Sequence, residues 1–348
     1  MASFSLIKAK LHTKYLFFKK KAAYWLSGKS ADEIAFSMSK NEIDALEISV
    51  KVGCGLFCDY CPQDEYIQNY RSKYKSDEKV LTEETFKAVL RNVPTSVYMK
   101  WTGFTEPLDS KVFPALALHL KDSGYKQQIS TTLHGHPASV LWFRDNLEMF
   151  KQITLHLPDD SGLMKSQVDD AYLAILDQVV KNATDLGFGE DRLVIFLIGN
   201  DFHQDIKPLL DSYRNKGLLC DSQIQKAAVL NTRNSTIDVD KLGIAKVSTR
   251  PFERREDHAE HYYCAYRRLN AGVLLPNGEV TICSQDYNLD YILGNLKRES
   301  LGSLYARIQT DHVLSRKFLA GEFFPCTKCE HYKPISSSFS GHLRPVQS

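Results

Sequence analysis

Leu46-Glu-Ile-Ser-Val-Lys-Val52 runs directly into Gly53-Cys54-Gly-Leu-Phe-Cys58-Asp-Tyr60-Cys61-Pro62. The first part is a short β-rich run. The second is a loop with cysteines in the pattern C-x3-C-x2-C. Such a loop can bring three thiolates to one cluster, whereas a 4Fe-4S cluster normally takes four. One iron is then left open, and an open position is what separates catalytic metal centres from closed structural ones. The cysteines alone also permit a zinc site that borrows a fourth ligand such as His134.

The chain around this segment alternates short β-rich runs with helical stretches. After Leu46 to Val52 come runs at 96–102, 128–133, 152–157, 193–198 and 225–230. Between them, 83–93, 112–123 and 168–186 carry apolar residues at three-to-four spacing, which predicts helices. Six such repeats predict an α/β fold with a parallel sheet, open or curled into a partial barrel, with ligands at the C-terminal strand ends. After Thr232 a charged stretch (250–261) leads into a hairpin, 272–275 and 279–283, turning at Pro276-Asn277-Gly278. The expected layout is a basic helical extension (1–45), the barrel (46–244), a small α+β domain (245–335) and a disordered Ser-rich tail (336–348).

The chain has 348 residues and a formal net charge of +2. That balance argues against a nucleic-acid binder, which usually shows a basic excess or a concentrated basic face. The one basic cluster is local: Lys8, Lys10, Lys14, Lys19, Lys20 and Lys21 alternate with Leu6, Ile7, Leu11, Leu16 and Phe17. This leader reads as a helix that touches an acidic membrane surface or a partner, or as one packed on the outside of the main domain. With no apolar spanning run and no secretory signal, a cytoplasmic location is expected. Eight cysteines in a reducing compartment read as metal ligands or reactive thiols rather than disulfides.

The cysteine loop, with Tyr60 before its last cysteine, resembles the radical S-adenosylmethionine (SAM) superfamily, whose signature is this spacing after the first strand of a partial (β/α)6 barrel. The resemblance implies that Cys54, Cys58 and Cys61 ligate a 4Fe-4S cluster, that its open iron chelates SAM, and that Tyr60 lies near the adenine. Trp101-Thr-Gly103-Phe104-Thr105-Glu106-Pro107-Leu108 is similar to the family's Gly-Gly-Glu-Pro segment, which receives the methionine amino group. Gly103, Thr105 and Glu106 become cofactor contacts by that resemblance, with Phe104-Thr105 in place of the paired glycines. Thr132, in Ser130-Thr131-Thr132-Leu133-His134-Gly135, falls in the family's Thr-Asn-Gly strand end. His156 stands where members often carry a serine that bonds the ribose; it also reads as a structural histidine.

Cys264, Cys283, Cys326 and Cys329 form a second group, which suits zinc and 4Fe-4S equally well on residue type. With Gly278-x4-Cys283, Asp286-Tyr287 and Gly294-Asn295-Leu296, it resembles the auxiliary-cluster region of radical SAM proteins with SPASM or shortened twitch domains. The absence of further cysteines matches the single-cluster twitch form, the layout of the butirosin-pathway 2-deoxy-scyllo-inosamine dehydrogenase. The resemblance implies two 4Fe-4S clusters and a low-potential electron donor such as flavodoxin or ferredoxin. It also implies a 5′-deoxyadenosyl radical that removes hydrogen from a hydroxylated small molecule (a sugar, cyclitol or nucleotide-linked glycoside), for oxidation to a ketone or for epimerisation. Peptide side-chain modification, and an iron-sulfur electron carrier or binder, are the alternatives. The catalytic base is not assigned: His134, Asn200, Asp201, His203, Asn231, Arg250, His258 and His261 are candidates at strand ends or in the second domain. Cys220, in neither group, precedes the sixth strand and reads as a buried, inert thiol at the opposite face.

Overall fold

The computed structural model describes residues 30–74, 78–226, 233, 237–242, 262–310, 326, 329 and 331–334. The basic leader, the 250–261 stretch and the Ser-rich tail lie outside them, as do Asn231, Arg250, His258 and His261. Among the described residues no helix is long and apolar enough to cross a membrane.

Six strands, β1 (Ala45–Ile48), β2 (Tyr98–Trp101), β3 (Gln127–Thr131), β4 (Gln152–Leu157), β5 (Leu193–Leu197) and β6 (Ile224–Lys226), pair in sequence order, all parallel. Helices cross over between them: α2 (Gln63–Lys73) and α3 (Glu83–Leu90) after β1, α4 (Phe113–Asp122), α5 (Pro137–Arg144), α6 (Asp170–Asp185) and α7 (Ile206–Asn215) after the next four. α1 (Ala31–Met38) precedes β1 and opens with a capping box between Ser30 and Glu33. Local chemistry sets where the crossover helices begin. Thr82 accepts from Thr85 N–H and Asp169 from Tyr172 N–H, and Glu83, Glu84 and Asp170 lie at the positive helix ends.

One strand face is apolar and lies under the helices. Leu46, Ile48, Met99, Trp101, Ile129, Ile153, Leu155 and Ile195 are buried there against Phe86, Leu116, Phe143 and Leu176. Trp101, fully buried, satisfies its indole N–H on Gln127 Oε1 at 2.7 Å. The alternate residues Glu47, Lys100, Gln128, Ser130, Thr154 and His156 turn to the other face, which lines a cavity.

The predicted hairpin extends this sheet. β8 (Ala271–Leu274) pairs parallel to β1, and β9 (Glu279–Thr281) and β10 (Ile292–Asn295) add antiparallel strands outside it, giving nine strands in the order β10-β9-β8-β1-β2-β3-β4-β5-β6. α8 (Leu301–Thr310) fastens the junction, its Tyr305 hydroxyl donating to Ala45 O and accepting from Gly272 N–H. A separate antiparallel ribbon of β7 (Tyr262–Cys264) and β11 (Tyr332–Pro334) is tied to the end of α1 by Cys264 N–H donating to Ser39 Oγ at 2.8 Å.

Candidate active site

The cysteine loop leaves β1 and passes over the C-terminal strand ends. Cys54, Cys58 and Cys61 are free, half-buried thiols on the wall of one cavity of about 500 Å³. Burial pushes Cys54 up to about 12 and Cys58 up to about 11, and Cys61 adds to both shifts electrostatically. Two groups surround Cys61 Sγ: Gln63 Nε2 donates to it at 3.3 Å, and the Tyr287 hydroxyl lies at 3.6 Å. Gln63 Nε2 also donates to Phe104 O at 2.7 Å, while Gln63 Oε1 is buried without a hydrogen-bond partner among the described residues.

The segment after β2 is built around Gly103 and Glu106. Gly103 sits at φ +55, and a Cβ there would stand 2.4 Å from Ser49 Oγ and 2.9 Å from Ser49 N. Only glycine lets the chain pass so close to β1. Ser49 Oγ accepts from Phe104 N–H, and Thr105 Oγ1 donates to Gly53 O at 2.8 Å, joining this turn to the cysteine loop. Glu106 is buried, and each of its oxygens accepts twice. Leu108 N–H (3.1 Å) and Thr131 Oγ1 (2.6 Å) donate to Oε1; Thr132 N–H (2.7 Å) and Thr132 Oγ1 (2.9 Å) donate to Oε2. Desolvation outweighs these bonds and raises its carboxyl to about 7.

Opposite, the Tyr60 and His156 rings stack with centroids 5.6 Å apart, and the Tyr60 hydroxyl lies 3.5 Å from His156 Nε2. Burial, with Arg233 adding a smaller effect, holds His156 down to about 4, so its imidazole is neutral at neutral pH. Tyr60, Gly103, Thr105, Glu106, Thr132 and His156, six positions from four separate segments, thus line the same cavity as the three thiols.

The proposed bases behave differently. His134 stacks on Tyr172, and its two ring nitrogens lie 3.2 Å from Thr132 O and 3.0 Å from Gln167 O. Asp201 pairs with Lys207 at 2.5 Å, His203 Nδ1 lies 3.6 Å from Asp205, and Asn200 O accepts from Lys226. None of them is among the described residues lining the cavity. Cys220 is a correction. Its thiol precedes β6, but it is exposed rather than buried, with Ser222 Oγ at 3.0 Å, because the turn that carries it faces outward.

Sequence reading missed another part of the wall: Glu47, Lys100, Gln128 and Thr154 from β1 to β4, and Arg268 and Tyr266 from the loop after β7. Glu47, 3% exposed, pairs with Arg268, whose guanidinium lies 4.2 Å from the Tyr266 ring centroid. The available signal was alternation, since Glu47, Lys100 and Thr154 each sit between two apolar residues that face the helices, while Gln128 has one, Ile129.

The second group assembles from distant segments. Cys264 ends β7, Cys283 follows β9, and Cys329 N–H donates to Cys326 O; all four pack against the main core. Burial raises the Cys264, Cys283 and Cys326 thiols, and neighbouring cysteines add to the shifts of Cys283 and Cys326. After Cys283, Asp286 accepts from Asp290 N–H and Tyr291 N–H at 2.9 Å each, which fixes the turn that brings Tyr287 to Cys61.

Among the described residues, no three His, Cys, Asp or Glu side chains close around a single metal ion. The donor chemistry fits an iron-sulfur cluster: three thiols of one loop share a cavity, and Gln63 Nε2 and the Tyr287 hydroxyl stand beside a sulfur. His134, the fourth ligand a zinc site would borrow, is engaged elsewhere. The four thiols of the second group, Cys264, Cys283, Cys326 and Cys329, have the composition of a closed site.

No family model matches the chain, and no curated protein matches it in sequence. Among solved structures, the chain is similar to BtrN in complex with AdoMet and 2-DOIA (14% identity, TM-score 0.46, covering 84% of this chain and 94% of that one). It is similar also to native anSMEcpe with bound AdoMet (14% identity, TM-score 0.43, 82% of this chain and 86% of that one), and to SuiB of Streptococcus suis (10% identity, TM-score 0.43, 84% of this chain and 72% of that one).

Proposed function

We propose that this chain is a radical SAM enzyme that oxidises or epimerises a hydroxylated small molecule. The observation that carries this reading is the meeting of Cys54, Cys58 and Cys61 with Tyr60, Glu106, Thr132 and His156 on one cavity above a polar strand face. Cys54, Cys58 and Cys61 would hold a 4Fe-4S cluster that, with SAM, supplies a 5′-deoxyadenosyl radical for hydrogen abstraction. Cys264, Cys283, Cys326 and Cys329 would hold an auxiliary cluster.

The remaining work falls to the protein's own groups. Glu106, fixed by four donors, presents a preset acceptor that an approaching ammonium would favour in its ionised form. The Tyr60–His156 stack offers a flat, neutral surface suited to a purine. Below it, Gln128, Ser130 and Thr154 give hydrogen-bonding groups on the strand face, as recognition of hydroxyls requires. The hydroxylated substrate follows from this polar lining rather than from the cysteines.

The test is a mass-spectrometric screen of sugars, cyclitols and nucleotide-linked glycosides with the reconstituted enzyme, SAM and reductant. Oxidation yields a product about two mass units lighter, and epimerisation in D2O one about one unit heavier. Conversion of a peptide, with every hydroxylated small molecule left unchanged, would overturn the substrate class.

A further inference from the structure

The Cys61 sulfur is met by two side-chain donors carried on elements that hold each other in place. Gln63 opens α2, and Phe104 O sets its amide: Nε2 donates there at 2.7 Å and to Cys61 Sγ at 3.3 Å, whereas the reversed amide would face oxygen to oxygen. Tyr287 comes from the segment after Cys283, with its hydroxyl 3.6 Å from the same sulfur. Its ring is buried against Phe104, with centroids 4.7 Å apart, and stands edge-on to Tyr66 of α2 at 6.5 Å. Asp286 caps the turn that follows, and α2 ties that turn down, Lys73 Nζ donating to Leu289 O at 2.5 Å and Asn69 Nδ2 to Asn288 Oδ1 at 3.2 Å. The other two thiols of the loop are served differently. Backbone N–H groups of Leu56 and Glu106 face Cys54, and Lys165 N–H and the Tyr60 hydroxyl face Cys58.

The geometry points to Gln63 and Tyr287 as positioning residues that act through Cys61 to raise the reduction potential of the cluster held by Cys54, Cys58 and Cys61. A thiolate bound to iron carries no proton, so both side chains donate to it. One electron from the reductant adds one negative charge to the cluster, and no proton moves. Donors at a ligand sulfur stabilise that charge and so favour the reduced state. Burial strengthens both bonds by keeping water away from the sulfur. Phe104, which stands where the resembling segment has a glycine, supplies the carbonyl that orients Gln63 and the ring that packs on Tyr287, so this departure belongs to the same device. The inference rests on the iron-sulfur reading above, but neither on SAM cleavage nor on the substrate.

The test is a redox titration of the anaerobically reconstituted full chain, followed by electron paramagnetic resonance. The signal to follow is the one present in the wild type and missing from the Cys54, Cys58, Cys61 triple variant. Tyr287→Phe keeps the ring and removes the hydroxyl. At a fixed potential it should move the reduced-to-oxidised ratio of that cluster about tenfold towards oxidised, which is about 59 mV for one electron. Gln63→Leu should move it the same way. Tyr66→Phe, which removes a neighbouring hydroxyl with no hydrogen-bond partner among the described residues, should leave the ratio unchanged. In D2O, Tyr287→Phe should also lose a deuteron coupling at the reduced cluster that the wild type and Tyr66→Phe keep. A potential unmoved in either variant at full iron content would overturn that residue's part, and an equal shift in Tyr66→Phe would reduce the effect to packing. If Tyr287→Phe does not hold iron, Gln63→Leu decides. A triple variant that keeps every signal would refute the iron-sulfur reading and this inference together; an intact signal with an unmoved potential would refute this inference alone.

Discussion

Glu106 joins β2 to β3, and its protonation links the cavity to the stability of the fold. Its folded carboxyl is raised to about 7 by burial, above the ordinary value of 4.5. The sign follows: the neutral form is favoured in the fold, so its contribution is fully present below the ordinary value and is lost as pH rises through 7. Between pH 5 and pH 8 that loss is about 2–3 kcal/mol. Glu106→Gln removes this term, although its amide faces the Thr132 N–H and should lower stability by about 1–3 kcal/mol overall. Urea denaturation of cluster-free protein should show the wild type losing more stability than the variant over this range; parallel losses would mean that Glu106 is already ionised at pH 5.

The cysteine loop, Gly103 and Glu106 were legible one residue at a time because each belongs to a short local pattern. Lys100 and Arg268 were not. Lys100 meets Glu47 and Gln128 across the sheet only through strand register, and the Glu47–Arg268 pair joins residues 221 apart in sequence. The described base candidates, His134, Asn200, Asp201 and His203, lie off the cavity wall for a related reason: a residue at a strand end turns inward or outward according to register, which composition does not reveal.

At the level of elements, the six β-α units were read from period alone, and their strands fall within about two residues of the expected positions at the N-terminal ends. What period left open was the character of the inner face. A polar alternate face is the usual mark of a strand open to solvent; here it lines the cavity. The hairpin was also legible, from Pro276-Asn277-Gly278, but its pairing with β1 was not, since parallel pairing of β8 with β1 leaves no local signal. Tyr305 of α8 secures that pairing. Tyr305→Phe should lower stability by about 1–3 kcal/mol by removing the bonds to Ala45 O and Gly272 N–H. Chemical denaturation would register the loss, and unchanged stability would show that the junction rests on packing alone.

Across the whole molecule, the segment from Cys283 to Tyr287 connects the two cysteine groups, starting at a thiol of the second and ending 3.6 Å from Cys61 Sγ of the first. Each group nevertheless has its own thiols. Replacing Cys54, Cys58 and Cys61 together should therefore remove about half of the bound iron, because the other four thiols remain. Metal analysis after anaerobic reconstitution checks this, and loss of all iron, or zinc in the remaining site, would refute two independent clusters.

The central claim is that the C-x3-C-x2-C loop makes this cavity a site of reductive SAM cleavage. The direct measurement is 5′-deoxyadenosine formed by the reconstituted protein given SAM and a strong reductant under anaerobic conditions. The account predicts its formation by the wild type and its absence from the Cys54, Cys58, Cys61 triple variant. A wild-type protein with full iron content that forms none, or a triple variant that forms as much, would contradict it.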